Sequence, residues 1–223
     1  MNVVIPYRSD YPDLDLKYCL RGIDLYIPGA QVFIVGDLPR TVTNVTHIPV
    51  KDDAGYKWAS RNIYRKLKAA AERLDHFLVV HDDHFLLRES CFNWPYYHKG
   101  DMMIRDKPGG YKILIANTLV RFGQVHDYEK HGPIWIEANK LSKLNSLDWN
   151  TEYGYGIQTA YCVMNDLHGH YYPDLKIKTA MSKDDILKAI EGRPWFSTGS
   201  GSYQGDIKKV FKELYKKKSV YEV

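Results

Sequence analysis

Short apolar runs alternate along this chain with segments whose apolar residues recur every three or four positions. Residues 2–5 and 31–35 are mostly apolar runs that end at polar or turn-forming residues, a pattern typical of buried strands. Between them, Leu16, Leu20 and Ile23 lie at helical spacing. Because strands that alternate with helices favour parallel pairing, the pattern predicts an α/β fold with a mainly parallel sheet flanked by helices.

The same two periodicities predict the remaining elements. Predicted strands cover residues 45–48, 77–80 and 171–178. Predicted helices cover residues 63–74, 113–122, 136–144, 157–167 and 207–214. Ser182 is placed to cap a further helix that ends before Gly192. The small residues of segment 197–202 fit either a mobile flap over a ligand or a linker.

Two adjacent carboxylates stop one apolar run abruptly. Residues 77–80 suit a buried strand, and His81, Asp82, Asp83 and His84 follow them directly. Acids at the carboxyl end of a parallel strand face the ligand crevice, where they can hold a divalent metal against phosphate groups. The structural alternative is that Asp82 and Asp83 cap a turn or a short helix.

Composition indicates a globular protein that is long enough for one sizeable domain. The chain has 223 residues, of which 44% are hydrophobic and 26% are charged. It shows neither a basic leader before an apolar stretch nor an apolar run long enough to span a bilayer, so we expect a cytoplasmic protein with no membrane partner. Cys19, Cys91 and Cys162 are widely spaced, which favours reduced thiols that fill the core.

The net charge of +4 is modest, and much of the excess lies near the end of the chain. The lysines concerned are Lys208, Lys209, Lys212, Lys216, Lys217 and Lys218. They fit either the solvated end of a helix, where the helix dipole favours cations, or a surface that binds a polyanion.

Several short motifs occur in an order that resembles nucleotide-sugar glycosyltransferases of the GT-A fold. They are residues 3–8, 18–21, 32–37, 61–62 and 81–83. Within that group the chain looks most like Stealth-type capsular polysaccharide transferases and small phage glycosyltransferases, through His131-Gly132-Pro133 and residues 195–198. The resemblance implies a GT-A-like, Rossmann-like nucleotide-sugar-binding domain, with residues 1–90 as the donor half and residues 91–223 as the acceptor half with a C-terminal helix.

The resemblance also implies that residues 81–83 are the counterpart of the family's DxD motif. Asp83 would be a metal ligand, and Asp82 would reach the ribose or the metal. Hard carboxylate oxygens suit Mg²⁺ or Mn²⁺, and His81 would favour Mn²⁺ if it is a ligand. Such an ion would stabilise the diphosphate that leaves when a UDP-sugar donor reacts.

Further donor-binding candidates follow the first two strands or open the helix before residues 81–83, which we call the acidic motif. They are Pro6, Tyr7, Arg8, Asp37, Arg61, Asn62, Arg65 and Lys66. We expect Tyr7 to stack on the base, Arg8 to reach the diphosphate and Asp37 to bind the base or ribose. The second group would favour an anion at a helix N-terminus. The alternatives are ordinary turn residues and a solvated basic helix face.

An inverting reaction needs a general base close to the acceptor hydroxyl, and Glu152 is the first candidate. It precedes a predicted helix, in a placement similar to the acidic motif of many inverting GT-A enzymes. Asp127, Glu129 and His131 are reserve candidates in a polar loop. His131, Lys208 and Lys212 are candidates for binding the acceptor.

The leading interpretation is a metal-dependent hexosyltransferase that uses a UDP-sugar, with UDP-glucose as the expected donor. The resemblance to phage enzymes and the basic end of the chain favour a 5-hydroxymethylpyrimidine in DNA as acceptor. One alternative is transfer of a sugar or sugar phosphate onto a surface or capsular polysaccharide. Another is a nucleic-acid-binding module without catalytic activity.

Overall fold

The computed structural model describes residues 1–9, 14–89, 95–104 and 109–223. Its strands are β1 (Asn2–Tyr7), β2 (Gln31–Gly36), β3 (Thr46–Ile48), β4 (His76–Val79), β5 (His84–Leu86), β6 (Tyr97–His98), β7 (Ile134–Glu137), β8 (His170–Tyr171), β9 (Lys176–Ile177) and β10 (Trp195–Thr198). Its α-helices are α1 (Leu14–Tyr26), α2 (Ala59–Ala71), α3 (Gly110–Phe122), α4 (Ala138–Leu141), α5 (Ile157–Met164), α6 (Lys183–Ile190) and α7 (Ile207–Leu214).

The central sheet has five strands in the order β3-β2-β1-β4-β7. Its first four strands are parallel, and β7 runs antiparallel to β4 at the edge. The strand order reverses around β1 and β4, and at such a reversal the carboxyl ends of parallel strands open a crevice for ligands. Asp82 and Asp83 follow β4 at this end of the sheet.

Both faces of the central sheet are covered, which explains why its strands are apolar without alternation. On one face Val4 packs with Tyr64 and Leu67 of α2. On the other face Val3 and Ile5 pack with the buried residues of α1. The mixed α/β architecture with a mostly parallel, helix-flanked sheet confirms the predicted fold class.

A second, smaller sheet contains β5, the strand that follows the acidic motif directly. Its order is β5-β10-β9, with β10 antiparallel to β5 and parallel to β9. Phe85 and Phe196 pack in its core with Phe211 of α7, and the ring centroids of Phe85 and Phe211 are 4.4 Å apart. This packing fixes β9 beside the turn that joins β4 to β5.

Most predicted elements are confirmed, including the cap at Ser182, whose hydroxyl accepts a hydrogen bond from the Asp185 backbone N–H. The predicted helix 136–144 is wrong in its first part, because residues 134–137 extend the sheet as β7. The predicted strand 171–178 divides into β8 and β9. In segment 197–202, Ser197, Thr198 and Ser202 are buried, which argues against a linker, and the flap over a ligand stays a prediction.

Two further expectations concern the cysteines and the membrane. Cys19 and Cys162 are free and buried, as predicted, whereas Cys91 lies outside the described residues. None of the helices in the described ranges combines the length and the apolar character needed to cross a bilayer.

Candidate functional site

The acidic motif forms the turn between β4 and β5. The Val80 backbone N–H donates to the carbonyl of Val4, which keeps the chain in register with β1 for one residue beyond β4. The His84 N–H then donates to the carbonyl of His81 and closes the turn. Asp82 and Asp83 therefore lie at the tip of a turn that is anchored on both sides by buried strands.

His84 is buried and its protonation is fixed by the backbone. The His81 N–H donates to Nδ1 of His84 over 3.2 Å, so the neutral ring carries its proton on Nε2. That Nε2 lies 3.6 Å from Oδ1 of Asp83. Burial lowers the pKa of His84 well below its usual range, so the ring is neutral near neutral pH.

Lys176 of β9 contacts the other oxygen of Asp83. Its Nζ donates to Oδ2 of Asp83 over 3.0 Å and to Nδ1 of His131 over 3.3 Å. An ammonium group has no acceptor, so Nδ1 of His131 must be unprotonated. Burial and the neighbouring Lys176 lower the pKa of His131 to about 4, which agrees with a neutral ring.

Asp83 remains ionised although it is enclosed. Burial alone would raise the pKa of its carboxyl, but the neighbouring His84 and Lys176 side chains outweigh burial and keep that pKa below its usual range. Lys176 is the charged partner of the two, because His84 is neutral. The Asp83–Lys176 ion pair is therefore the electrostatic centre of the site.

A small cavity lies on one side of this ion pair, and we call it the inner cavity. Its volume is about 290 Å³. Aliphatic side chains of the central sheet and α2 form much of its wall. The polar residues that line it are His81, Asp83, His84, Tyr111, Glu129, Lys130, His131, Gln158 and Lys176.

A larger cavity, the outer cavity, lies on the other side. Its volume is about 610 Å³. It is lined by Leu14, Asp15, Asp82, Asp83, Lys176, Thr198, Gly199, Ser200, Tyr203 and Lys208. Because Asp83 and Lys176 line both cavities, this ion pair forms the shared wall between them.

The outer cavity contains two further carboxyl groups that resist ionisation. Burial, followed by repulsion from Asp82 and Asp83, raises the pKa of Asp15 to about 7. Burial, followed by repulsion from Asp83, likewise raises the pKa of Asp82 to about 7. The Thr198 hydroxyl donates to Oδ1 of Asp15 over 3.5 Å. These carboxyl groups can donate hydrogen bonds when protonated and accept them when ionised.

Glu129 faces the inner cavity from the loop before β7. Burial raises the pKa of its carboxyl to about 7. Its Oε1 accepts a hydrogen bond from the Thr159 backbone N–H over 2.8 Å, so the carboxyl also caps the first turn of α5. A side chain at Gly156 would come within 2.8 Å of Oε1, and the glycine therefore permits this approach. Glu129 is a carboxylate poised to exchange a proton near neutral pH.

Glu152, the first candidate for the base, lies elsewhere. Its side chain is 59% exposed and pairs with Lys57 over 2.7 Å. It does not belong to the described residues that line either cavity. The structure instead brings two reserve candidates, Glu129 and His131, to the inner cavity with Asp83.

Three of the predicted donor-binding residues converge on one loop. Arg61 and Arg65 both donate to Oδ2 of Asp53, over 2.6 Å and 2.9 Å. Asn62 is buried and bonds both the N–H and the carbonyl of Asp53. The buried ammonium of Lys66 contacts Tyr7 O and an oxygen of Asp52. These side chains shape the loop that follows β3, and their role in donor binding stays a prediction.

The residues after β1 and β2 are tied to each other. The Ser9 N–H and hydroxyl both donate to Oδ2 of Asp37, and the Ser9 N–H contributes most to lowering the pKa of this carboxyl. Pro6 is buried within β1, and Arg8 is partly exposed at its end. The Tyr7 side chain is only 1% exposed within the core, which favours a packing role for its ring over stacking on a base.

The lysines near the end of the chain lie in two places, on α7 and beyond the end of that helix. Lys208 lines the outer cavity together with Asp82 and Asp83, as expected for a lysine on the same side as the acidic motif. Lys212 is exposed one turn further along the helix. Lys216, Lys217 and Lys218 are exposed beyond the helix end, where Arg21 donates to the Tyr215 carbonyl. Lys208 is thus the member of the cluster best placed to contact a ligand.

A divalent metal does not fit the acidic motif as it is built. Among the residues with described positions, no three His, Cys, Asp or Glu side chains form a group that could hold a metal ion. Oδ2 of Asp83 already accepts from Lys176. An ion bound to the other oxygen, Oδ1, would lie close to this ammonium group and be repelled by it. The predicted set of His81, Asp82 and Asp83 is not supported by this geometry.

Sequence patterns did not identify some residues that line the cavities. Lys176 fell inside a predicted strand, and Gln158 fell inside a predicted helix, with no local pattern to separate either from its neighbours. Asp15 is an acid in the first turn of a helix, a common position with an ordinary structural explanation. These side chains meet only through the packing of the second sheet and α5 on the central sheet.

Comparison with known proteins identifies the fold. Neither a protein-family model nor a curated protein matches the sequence. The galactosyltransferase LgtC, solved with donor and acceptor sugar analogues, superposes with a TM-score of 0.54 at 12% identity, covering 97% of this chain and 95% of that one. An active-site variant of LgtC, with glutamate in place of a glutamine, gives 0.51 at 11% identity, covering 96% and 95%. The likeness confirms a GT-A-like glycosyltransferase fold.

A glycosyltransferase involved in glycosylation of the major capsid of PBCV-1 covers 96% of this chain and 98% of its own, with a TM-score of 0.45 at 11% identity.

Proposed function

We propose that this protein is a glycosyltransferase that moves a hexose from a nucleoside diphosphate sugar to a hydroxyl acceptor. The observation that carries the proposal is the pair of unequal cavities that share the Asp83–Lys176 wall. Ligand cavities commonly measure roughly 300–1,000 Å³, so the outer one suits a nucleotide and the inner one suits a single sugar ring. The fold shared with LgtC supports the same reading.

In this arrangement the bond that breaks lies at the shared wall. The bond between the anomeric carbon and the diphosphate oxygen would cross from the inner to the outer cavity beside Asp83. Asp83 and Lys176 carry fixed charges at that point, where negative charge would develop on the departing diphosphate oxygen during the reaction. Gln158 offers an amide to the sugar inside the inner cavity, and the active-site glutamine of LgtC supports such a role.

We assign the general base to Glu129 in an inverting reaction. It faces the inner cavity, and its raised pKa of about 7 suits a group that takes a proton from a hydroxyl near neutral pH. The Thr159 N–H donates to its Oε1, which orients the carboxyl group in the cavity wall. An inverted anomeric centre in the product, measured by NMR, is expected. Retention would give this carboxylate another role.

The acceptor is the finer part of the proposal. We propose a 5-hydroxymethylpyrimidine in DNA with UDP-glucose as donor, and the exposed lysines outside the outer cavity, Lys209, Lys212, Lys216, Lys217 and Lys218, support a polyanionic acceptor. The test offers a panel of UDP-sugars with hydroxymethylcytosine DNA, hydroxymethyluracil DNA or a capsular oligosaccharide, followed by mass measurement. A mass gain of one hexose on DNA is expected. Gain on the oligosaccharide alone would overturn the DNA acceptor, and no transfer or donor hydrolysis would overturn the enzyme.

A further inference from the structure

In the proposed function, Lys176 lies where a cation would stabilise the diphosphate of the donor. It lines both cavities, and its Nζ lies 3.0 Å from Asp83 at their shared wall. Its strand, β9, is held in register by β10 through the pairs Ser197–Lys176 and Thr198–Ile177. The pairing of β9 with β10 therefore fixes the backbone from which the Lys176 side chain extends.

The neighbours of Lys176 keep its charge and orient it. Asp83 supplies a carboxylate, and Nδ1 of His131 supplies a neutral acceptor 3.3 Å away. The His131 backbone is fixed in turn, because its carbonyl accepts from the Trp195 indole and its N–H donates to Oδ1 of Asp174. Of the three donors of the ammonium group, these contacts use two and leave one for a ligand.

Resting on the proposed function, we infer that the Lys176 ammonium, rather than a divalent cation, stabilises the nucleoside diphosphate as it leaves. The bond from the anomeric carbon to the diphosphate oxygen breaks, and its electron pair stays on that oxygen. The acceptor oxygen forms the new bond to the anomeric carbon, and its proton passes to Glu129. Lys176 donates its remaining hydrogen bond to the oxygen that gains charge.

The rest of the outer cavity supplies donors for phosphate oxygens, and its carboxyl groups Asp15 and Asp82, whose pKa values burial raises to about 7, would have to be protonated beside a diphosphate. Lys208 adds a second ammonium group on the same side of the wall. Thr198, Ser200 and Tyr203 add hydroxyl groups that can donate to phosphate oxygens. Oδ2 of Asp83 accepts a hydrogen bond from Lys176, so a cation on this carboxylate would be repelled by the ammonium group.

The first experiment needs no variant. UDP binding by the wild-type protein is measured by calorimetry in excess EDTA and in excess Mn²⁺, together with the hydrolysis of UDP-glucose. We expect both affinity and rate in EDTA to stay within about threefold of their values in Mn²⁺, because a resident ammonium already supplies the charge. Binding and hydrolysis that appear only with Mn²⁺ would overturn the inference and leave the proposed transferase standing. Absence of both under either condition would overturn the transferase itself.

The second experiment tests Lys176 directly. Lys176→Met should lower hydrolysis in EDTA on the order of a hundredfold and weaken UDP binding about tenfold or more, since it removes a charged donor at the developing charge. Lys176→Arg should recover part of both because it restores the charge. Lys178→Met is the matched control, since Lys178 is exposed two residues along the chain and lines neither cavity. A Lys176→Met protein that keeps wild-type binding and rate in EDTA would overturn the assignment.

Discussion

The inner and outer cavities share the Asp83–Lys176 wall but are otherwise lined by different parts of the fold. The inner cavity is enclosed by strands and helices, with Val79, Ile134 and Ile136 among its apolar residues. The outer cavity is bounded by the start of α1, the end of β10 and the start of α7, with Gly199 and Ser200 at its rim. Both cavities combine polar and apolar lining residues, and they differ in volume, about 290 Å³ against about 610 Å³, so in the proposed function the smaller one suits the sugar that reacts and the larger one suits the nucleotide that anchors it.

The difference extends to the charged groups. Oε1 of Glu129 in the inner cavity accepts from the Thr159 N–H, and the His131 N–H donates to Oδ1 of Asp174. In the outer cavity, burial and then repulsion between carboxyl groups raise the pKa of Asp15 and of Asp82 to about 7. The inner cavity is thus lined by one carboxyl group whose pKa is raised to about 7, Glu129, whereas the outer cavity is lined by two.

The largest effect is expected at the shared wall. Asp83→Asn keeps the side-chain shape but removes the charge that holds Lys176, so donor hydrolysis and transfer should both fall by up to about a hundredfold, as in Lys176→Met. Circular dichroism and the melting temperature check that the fold remains. Activity within tenfold of wild type in a folded protein would show that the two cavities do not meet at the reaction centre.

A large effect confined to turnover is expected in the inner cavity. Glu129→Gln keeps an oxygen for the Thr159 N–H but cannot take a proton, so kcat should fall on the order of a hundredfold with little change in the KM for the donor. The wild-type rate should fall as the pH drops below about 7, where Glu129 gains a proton, and this limb should vanish in the variant.

Glu152→Gln is the matched control for that change. The Glu152 side chain is exposed and bonded to Lys57, so turnover should stay near that of the wild type. A loss on substitution of Glu152 with none at Glu129 would return the base to the residue that sequence motifs favoured.

A smaller effect is expected at the rim of the outer cavity. Lys208→Gln should weaken UDP binding up to about tenfold, because one charged donor to phosphate is lost. Lys212→Gln, one turn along α7 and outside the cavity lining, should leave UDP binding unchanged. If DNA is the acceptor, each substitution should also reduce the salt dependence of DNA binding by about one unit of slope. Unaltered DNA binding in both would remove the support for that acceptor.

The smallest effect on activity, but a measurable effect on stability, is expected at Asp15. Its carboxyl has a folded pKa of about 7 against 3.8 for an ordinary aspartate. Both states are therefore neutral at low pH, and the folded state loses stability progressively between about pH 4 and pH 7, where the unfolded carboxyl is ionised and the folded one is still protonated; above about pH 7 the loss is complete. Asp15→Asn should raise the melting temperature at about pH 8 and change it little at about pH 4. An equal shift at both pH values would mean that burial of charge is not the cause.

Sequence patterns were most informative for features that depend on the residues of a single helix or strand. Periodicity located β1, α1, β2, α2 and β4, since each buries its own apolar residues. It also placed Asp83 at a sheet edge. Sequence patterns misassigned residues 136–137, because an antiparallel edge strand that enters a short helix resembles one continuous helix. The partners of Asp83 were out of reach, since Lys176 is 93 residues away and arrives through the second sheet.

The central claim is that one donor spans both cavities across the Asp83–Lys176 wall. A crystal structure with a non-reactive fluorinated UDP-glucose tests it most directly. We predict the nucleotide in the outer cavity, the glucose ring in the inner cavity beside Glu129, and the anomeric carbon next to the wall with Lys176 on the diphosphate. A nucleotide bound away from the outer cavity, or a sugar ring outside the inner one, would contradict the account.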